Sequence, residues 1–337
     1  MPVHPRPLAR RVRGAVCRSP GRSRMIGMAD AITKQHGALD RLYRRHVGPG
    51  STYALVDFPD HANVGDSAIW LGEARMLRTV TGREPEYVST WADFDEAAFR
   101  RACPDGVLFL HGGGNLGDIW PHHQAFRESI LRTIRDRPIV QLPQSIHFRH
   151  AGRIAPFAAI VADHPDFHLY VRDRQSRDFA ARHLPCATDL APDSAFALGP
   201  QSRSAPDCDV MMLMRTDEER RPEDRSALTD MPGAVSIDWL DDETLPDTTG
   251  HTKAQAYDGI ATARLKRGLR LLSRGRTIVT DRLHAHILAT LLDIPHVALD
   301  NDYGKISAYI DCWTGTCVGV RTASSAREAI AHLGLRA

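Results

Sequence analysis

Four basic or protonatable side chains stand just past apolar runs of this 337-residue sequence: Arg172, Arg282, His284 and Lys305. Their setting gives them chemistry. Asp281-Arg282-Leu283-His284 lies between TIVT (277–280), which reads as a strand, and LHAHILATLLD (283–293), which reads as a helix. A helix N-terminus offers unpaired N–H groups and partial positive charge, so an anion is favoured there. Cations in that first turn cost roughly 0.3–1 kcal/mol each, a penalty a bound anion would remove. Arg172, in YVRDRQS (170–176), is either a surface ion pair or a bidentate clamp on phosphate or carboxylate. Lys305, beside Tyr303 and Gly304, is either solvated or adds charge to the same anion. His286 reads as a packed or surface-exposed residue. Together the four cations suit a small polyanion, which a neutral substrate would not require.

A second candidate is HGGGNLGDIW (111–120). Gly112, Gly113 and Gly114 permit positive φ and close backbone approach, and Asn115 tolerates left-handed geometry. The stretch is not G-x-G-x-x-G in a first βα unit, and no Lys-Ser/Thr follows as in a P-loop. It reads as a glycine turn, serving either chain reversal or a ligand wall. Asn63, Gly65 and Asp66 form either a βα turn with Asp66 or Ser67 as helix cap, or a ligand lip. Gln144 and Ser145 follow PIVQLP (138–143) as a capping pair or a reader of sugar hydroxyls. Asp193 reads as a structural turn.

The elements that must carry these residues alternate. Strands are expected at 52–58, 107–110, 138–143, 167–173, 209–215, 234–238, 277–280, 296–300 and 317–320. Helices are expected at 66–80, 123–136, 254–275, 283–293 and 324–333, with 218–230 a polar helix or loop. Strand, turn and helix in that order make parallel sheets, giving an α/β protein of two doubly wound Rossmann-like domains facing a cleft. Ligands of such sheets bind beyond the carboxyl ends of the strands. The aperiodic stretch 198–207 marks the boundary, dividing residues 26–200, with the glycine loop, from 201–337, with the anion-binding helix N-terminus.

Composition narrows the function. A net charge of +2 gives no global field for nucleic acid or a membrane surface. Residues 1–25 are Arg- and Pro-rich, without the apolar core of a secretory signal. They read as a disordered tail, an over-extended start (Met25 or Met28 would serve) or a contact with an anionic surface. No run approaches the ~18 apolar residues of a membrane span. The six cysteines lack paired C-x-x-C spacing, which argues against zinc and against a disulfide framework. They read as reduced, mostly buried thiols of a cytoplasmic protein, with no metal and no cofactor expected.

The motifs N-x-GD, GGGNLGD with WPHHQAFRE, LPQSI, RD-x-x-S, APD-x-A-F, DRLHAHI, IP and DYGKI run in order from about residue 52 to 311. As a set the chain resembles the polysaccharide pyruvyl transferases, in particular the branch of bacterial exopolysaccharide synthesis. The resemblance implies a fold similar to the two-domain GT-B glycosyltransferases. It also implies transfer of the pyruvyl group of phosphoenolpyruvate to a sugar as a ketal, with release of phosphate. Phosphoenolpyruvate would be a substrate rather than a cofactor. Arg282, Leu283 and His284 match the family's Arg-Leu-His triplet, and Arg172 its second arginine. On this reading Arg172 and Arg282 bind phosphate and carboxylate, and His284 orients the phosphate or acts as acid. Asp66, Asn115, Asp118 and Gln144, with Asn63, Gly113 and Gly114, line the acceptor side. Asp66, Asp118 and His111 are the acid–base candidates. The acceptor is a saccharide, with a lipid-linked precursor at the inner face of the plasma membrane left open. A GT-B glycosyltransferase using a nucleotide sugar is the rival reading. A non-catalytic sugar- or phosphate-binding protein comes next and a dehydrogenase last.

Overall fold

A computed structural model of the chain describes residues 25–216, 233–240, 244–300 and 304–333. Residues 1–24 of the basic tail, with Cys17, the stretch 218–230 and Tyr303 lie outside the described residues.

Two parallel sheets organise the chain. The first holds β1 (Tyr53–Val56), β2 (Tyr87–Ser89), β3 (Val107–Leu110), β4 (Gly113–Gly117), β5 (Ile139–His147), β6 (Phe167–Val171) and β7 (Ala187–Leu190). Its order is β2-β1-β3-β5-β6-β7, with β4 also paired to β5. The second holds β8 (Cys208–Leu213), β9 (Ala234–Ile237), β10 (Gly275–Thr280), β11 (His296–Leu299) and β12 (Val320–Ala323), in the order β12-β11-β10-β8-β9. The strand order reverses at β1/β3 in one sheet and at β8/β10 in the other. These are the switch points where α/β sheets open a crevice for ligands.

Helices α1 (Met28–His46), α2 (Val64–Thr81), α3 (Glu96–Ala102), α4 (Pro121–Thr133), α5 (Ile154–Asp163) and α6 (Arg174–His183) accompany the first sheet. Helices α7 (Lys253–Ser273), α8 (Leu283–Leu291), α9 (Lys305–Trp313) and α10 (Ala326–His332) accompany the second. Residues from α1, α2, α7 and α8 share one apolar core with residues facing them from both sheets, including Tyr43, Trp70, Phe109, Leu265, Met211 and Ile278. Separate clusters cover the outer faces, Phe99 and Phe157 in one, Val279 and Ile330 in the other. Hydrophobic burial therefore welds the two halves rather than leaving them on a bare linker.

Several expectations shift. The glycine stretch is not a turn. The chain leaves β3 and resumes as β4, because β5 runs on to His147 and offers its far half as an edge, with Gly113 opposite Gln144 and Gly117 opposite His147. Gln144 and Ser145 thus lie within a strand. Helix α2 is capped by Asn63, whose side chain accepts from Gly65 N, and not by Asp66 or Ser67. The last strand starts at Val320 rather than Cys317, because Cys317 instead bridges to Ile26. Helices α1, α3, α5 and α9 and strands β2, β4 and β7 have no counterpart among the elements expected from the sequence. Of the described cysteines only Cys103 and Cys317 are buried, with Cys186, Cys208 and Cys312 half-buried.

Candidate active site

Both switch points drain into one cavity of about 430 Å³. The first sheet contributes Pro59, His61, Asn63 and Asp66 after β1, and His111, Gly114 and Asn115 after β3. The second contributes Arg215 after β8, Trp239 after β9, and Arg282, Leu283 and His284 after β10. Lys305, at the head of α9, completes the cation side.

The cations are held by carboxylates of the protein itself. Arg282 Nε and Nη2 each donate at 2.7 Å to Asp238, a bidentate pair from the N-cap of α8 to the end of β9. Burial would raise the Asp238 carboxyl, but Arg282 outweighs it and holds it below the ordinary range. Arg172 Nη1 donates to Asp193 Oδ2 at 2.5 Å, and His284 Nε2 stands 3.3 Å from the same oxygen. Burial pushes Asp193 up, yet His284 and Arg172 together drive it far below the ordinary carboxylate value. The basic first turn of α8 is thus answered in part by Asp238 and Asp193, where the sequence suggested a bound anion alone.

Arg172 is fully buried behind the glycine strand. Its Nε donates to Ser145 Oγ at 3.0 Å, while its Nη2 has no hydrogen-bond partner among the described residues. That nitrogen lies 3.0 Å from where a Cβ on Gly114 would be, and the same Cβ would overlap Lys305 Nζ. Glycine at 114 therefore lets two cations from opposite halves close on one wall. Gly65 likewise admits a neighbour from the other half, since a Cβ there would overlap the His284 ring.

The same cavity holds an acid–base group. His111 Nδ1 lies 2.7 Å from Glu73 Oε2, and Gly112 N donates to Glu73 Oε1 at 2.8 Å. With the backbone amide fixing one carboxylate oxygen, the imidazole donates from Nδ1 to the other. His111 Nε2 is left without a partner among the described residues, on a residue that lines the cavity. Burial lowers the His111 pKa, but the Glu73 carboxylate more than reverses this and raises it. Asp66 is half-buried, oriented by Asn63 Nδ2 at 2.9 Å. Burial opposes its charge, but His61, His284, His111 and Lys305 together lower its pKa. Asn63 therefore serves as helix cap and site support at once.

A second carboxylate–histidine pair enters the wall. His123 Nδ1 lies 2.8 Å from Asp57 Oδ1, and Asp57 has φ 72, a conformation rarely taken by a non-glycine residue. Glu73, Asp57, His123, Asp238 and Asp193 were not read as site residues in the sequence.

Besides Arg172, three candidates do not line the cavity: Asp118, Gln144 and Gly113. Asp118 accepts from Arg149 N at 2.6 Å and from His150 N and Nδ1 at 2.8 Å, so it caps the turn after β5 and does not line the cavity. Gln144 is buried behind the wall and donates to His111 O at 3.1 Å and to Asn115 Oδ1 at 2.8 Å. Arg127 Nη2 also donates to Asn115 Oδ1, at 2.8 Å. Since arginine can only donate, the Asn115 oxygen is turned inward and its NH₂ is directed away from that contact. Gly113 of β4, paired with Gln144 of β5, packs close to Ile69 and to Asp66 Oδ1.

The sequence profile of the polysaccharide pyruvyl transferases matches residues 63–303, a span that includes most of this cavity. The chain belongs to that family. The transferase is 32% identical over 305 residues to Pyruvyl transferase 1 of Schizosaccharomyces pombe, covering 85% of this chain and 75% of the relative. It is 28% identical to EpsO of Bacillus subtilis, over 87% and 90% of the two chains. A crystal structure of a functionally uncharacterised Klebsiella pneumoniae protein shares the fold, with a TM-score of 0.56 at 17% identity over 86% of this chain and 99% of that one. Among the described residues of the transferase, no helix is long and apolar enough to cross a membrane and no cluster is suited to hold a metal ion.

Proposed function

We propose that the transferase moves the pyruvyl group of phosphoenolpyruvate onto two hydroxyls of a saccharide of an exopolysaccharide or its lipid-linked precursor, giving a ketal and inorganic phosphate. The observation that carries this reading is the gathering of Arg282, His284 and Lys305 in one cavity with His111 and Asp66, with Arg172 buried behind Gly114. A donor with one phosphate and one carboxylate needs two cationic seats, and arginine's planar fork matches both groups. The two facing parallel sheets suit a GT-B-like arrangement. A working place at the inner face of the plasma membrane fits a lipid-linked acceptor.

The chemistry follows from the groups present. Protonation of the donor's methylene carbon makes C2 electrophilic. A sugar hydroxyl adds to C2 and gives up its proton. The C2–O bond to phosphate then breaks, and a second hydroxyl closes the ketal while its proton leaves. Two hydroxyl protons are lost; one ends on the new methyl group and one on phosphate. Protonated His111, sustained by Glu73, supplies an acid, and ionised Asp66 supplies a base for the hydroxyl. Arg282, His284 and Lys305 stabilise the departing phosphate, with Arg172 behind them.

Incubation with phosphoenolpyruvate and a panel of saccharides should release phosphate in step with acceptor consumption. Turnover with a nucleotide sugar and none with phosphoenolpyruvate would instead establish a glycosyltransferase.

A further inference from the structure

The rim of the cavity carries groups that the donor and acid–base chemistry leave unused. Trp91 and Trp120 are each 42% exposed, and no other aromatic residue is among the exposed large hydrophobics of the described residues. Both line the cavity mouth, together with His122. The Trp91 and His122 rings are stacked, with centroids 4.9 Å apart and planes 15° from parallel. That contact covers part of one indole face and still leaves much of Trp91 open to solvent. Scattered exposed aliphatics need no explanation, but clustered exposed aromatics beside a cavity mark a contact surface.

The platform is anchored. Asp93 Oδ1 accepts from Thr90 N and Thr90 Oγ1 at 2.7 Å, closing a tight turn around Trp91. Asp93 Oδ2 accepts from Tyr257 OH at 3.2 Å and pairs with Lys253 Nζ at 2.6 Å, so the turn is buckled to α7 of the other half. Trp120 stands at the N-cap of α4, immediately before Pro121, which fixes the helix start. Neither indole is held in place by burial, yet both are mounted on ordered backbone.

We infer that Trp91 and Trp120 form a sugar-stacking subsite for the unit next to the one that receives the pyruvyl group, so the preferred acceptor is a glycan of two or more units rather than a free monosaccharide. The inference rests on the proposed reaction for what happens deeper in the cavity, but glycan binding at the rim stands without it. A pyranose presents a face of C–H groups that packs on an aromatic ring while its hydroxyls stay with water. His111 is buried and Asp66 half-buried, whereas Trp91, Trp120 and His122 are exposed. A glycan unit reacting at the former therefore leaves its neighbour at the latter.

The test is calorimetric titration of the full chain, and of Trp91→Ala and Trp120→Ala, with mono- to tetrasaccharides of the cello-, malto- and β-galacto- series. Circular dichroism should be unchanged in both variants, since neither side chain contributes to a core. Wild type should bind the longer members at least about tenfold more tightly than the monosaccharide, and each variant should lose that advantage. Affinity for phosphoenolpyruvate should be the same in all three proteins. Equal binding of mono- and oligosaccharides by wild type, undiminished oligosaccharide binding by both variants, or no binding of any saccharide would each overturn the subsite. Glycan binding without phosphoenolpyruvate binding would leave the subsite standing and remove the proposed donor.

Discussion

Asp193 and His284 meet across the two halves of the chain, with 3.3 Å between the carboxylate oxygen and Nε2. The same oxygen accepts from Arg172, so one buried carboxylate sets two of the cations proposed for the donor. Removing one partner of a buried charge pair typically costs about 3–5 kcal/mol, because the other charge is left uncompensated. Asp193→Ala should therefore lower the unfolding free energy obtained from urea denaturation by an amount of that order. Asp193→Asn keeps the shape and should fold better, yet leave Arg172 and His284 misdirected. Its affinity for phosphoenolpyruvate should fall about tenfold or more by calorimetry; wild-type affinity would show that the carboxylate is structural only.

Glu73→Gln tests the acid–base assignment through pH. The Glu73 carboxylate raises the His111 pKa, so His111 stays protonated to higher pH than a free imidazole. If protonated His111 is the acid, kcat/KM falls as pH rises through that raised pKa. Replacing the carboxylate with an amide removes the cause, and the limb should move to lower pH while kcat drops about 10²-fold. A profile that drops in height without moving would mean that Glu73 does not tune this histidine.

Much of the fold was legible because strand and helix alternate in hydropathy, and β3 and the start of α8 fall where the apolar runs place them. The cation triplet was legible because a basic helix start is electrostatically odd. The partners were not, since Asp193 and His284 are 91 residues apart and only the packing of two sheets joins them. Glu73 did leave a signal. It lies on the α2 face that also buries Ile69, Trp70 and Leu77, where an unpaired carboxylate would be costly. Asp118 misled because NLGD looks continuous with the glycine wall. The β4–β5 ladder carries it past the cavity to the turn at 149–150.

Arg282→Ala should abolish measurable phosphoenolpyruvate binding while leaving the circular dichroism spectrum intact. The change also strands Asp238, whose charge Arg282 sustains, so Asp238→Asn makes the separating control. Asp238→Asn keeps the guanidinium and loses only its brace, and should bind the donor about tenfold more weakly. If Arg282→Ala binds the donor like wild type, the anion site lies elsewhere.

The buried pair His286 and His296 predicts how stability responds to acid. His296 Nδ1 donates to the Ile294 carbonyl at 2.7 Å, so its Nε2 must accept from His286 Nδ1, also at 2.7 Å. His286 Nε2 then accepts from Thr314 Oγ1 at 2.9 Å, and every ring nitrogen is satisfied with both rings neutral. Burial lowers the His296 pKa to about 4 and, helped by His296, drives His286 well below its usual value. Both folded pKa values lie below the unfolded one near 6.5, so the unfolded chain takes up protons first as pH falls. Stability from this pair is complete above about pH 6.5 and is lost progressively toward pH 4. At about pH 5.5 each histidine should have cost roughly 1.4 kcal/mol. Urea unfolding of wild type and His286→Gln at pH 7.5 and 5.5 measures this. The wild type should lose more on acidification than the variant, which has one fewer buried imidazole to protonate. Equal losses would show that the His286–His296 pair does not stay neutral in the folded protein.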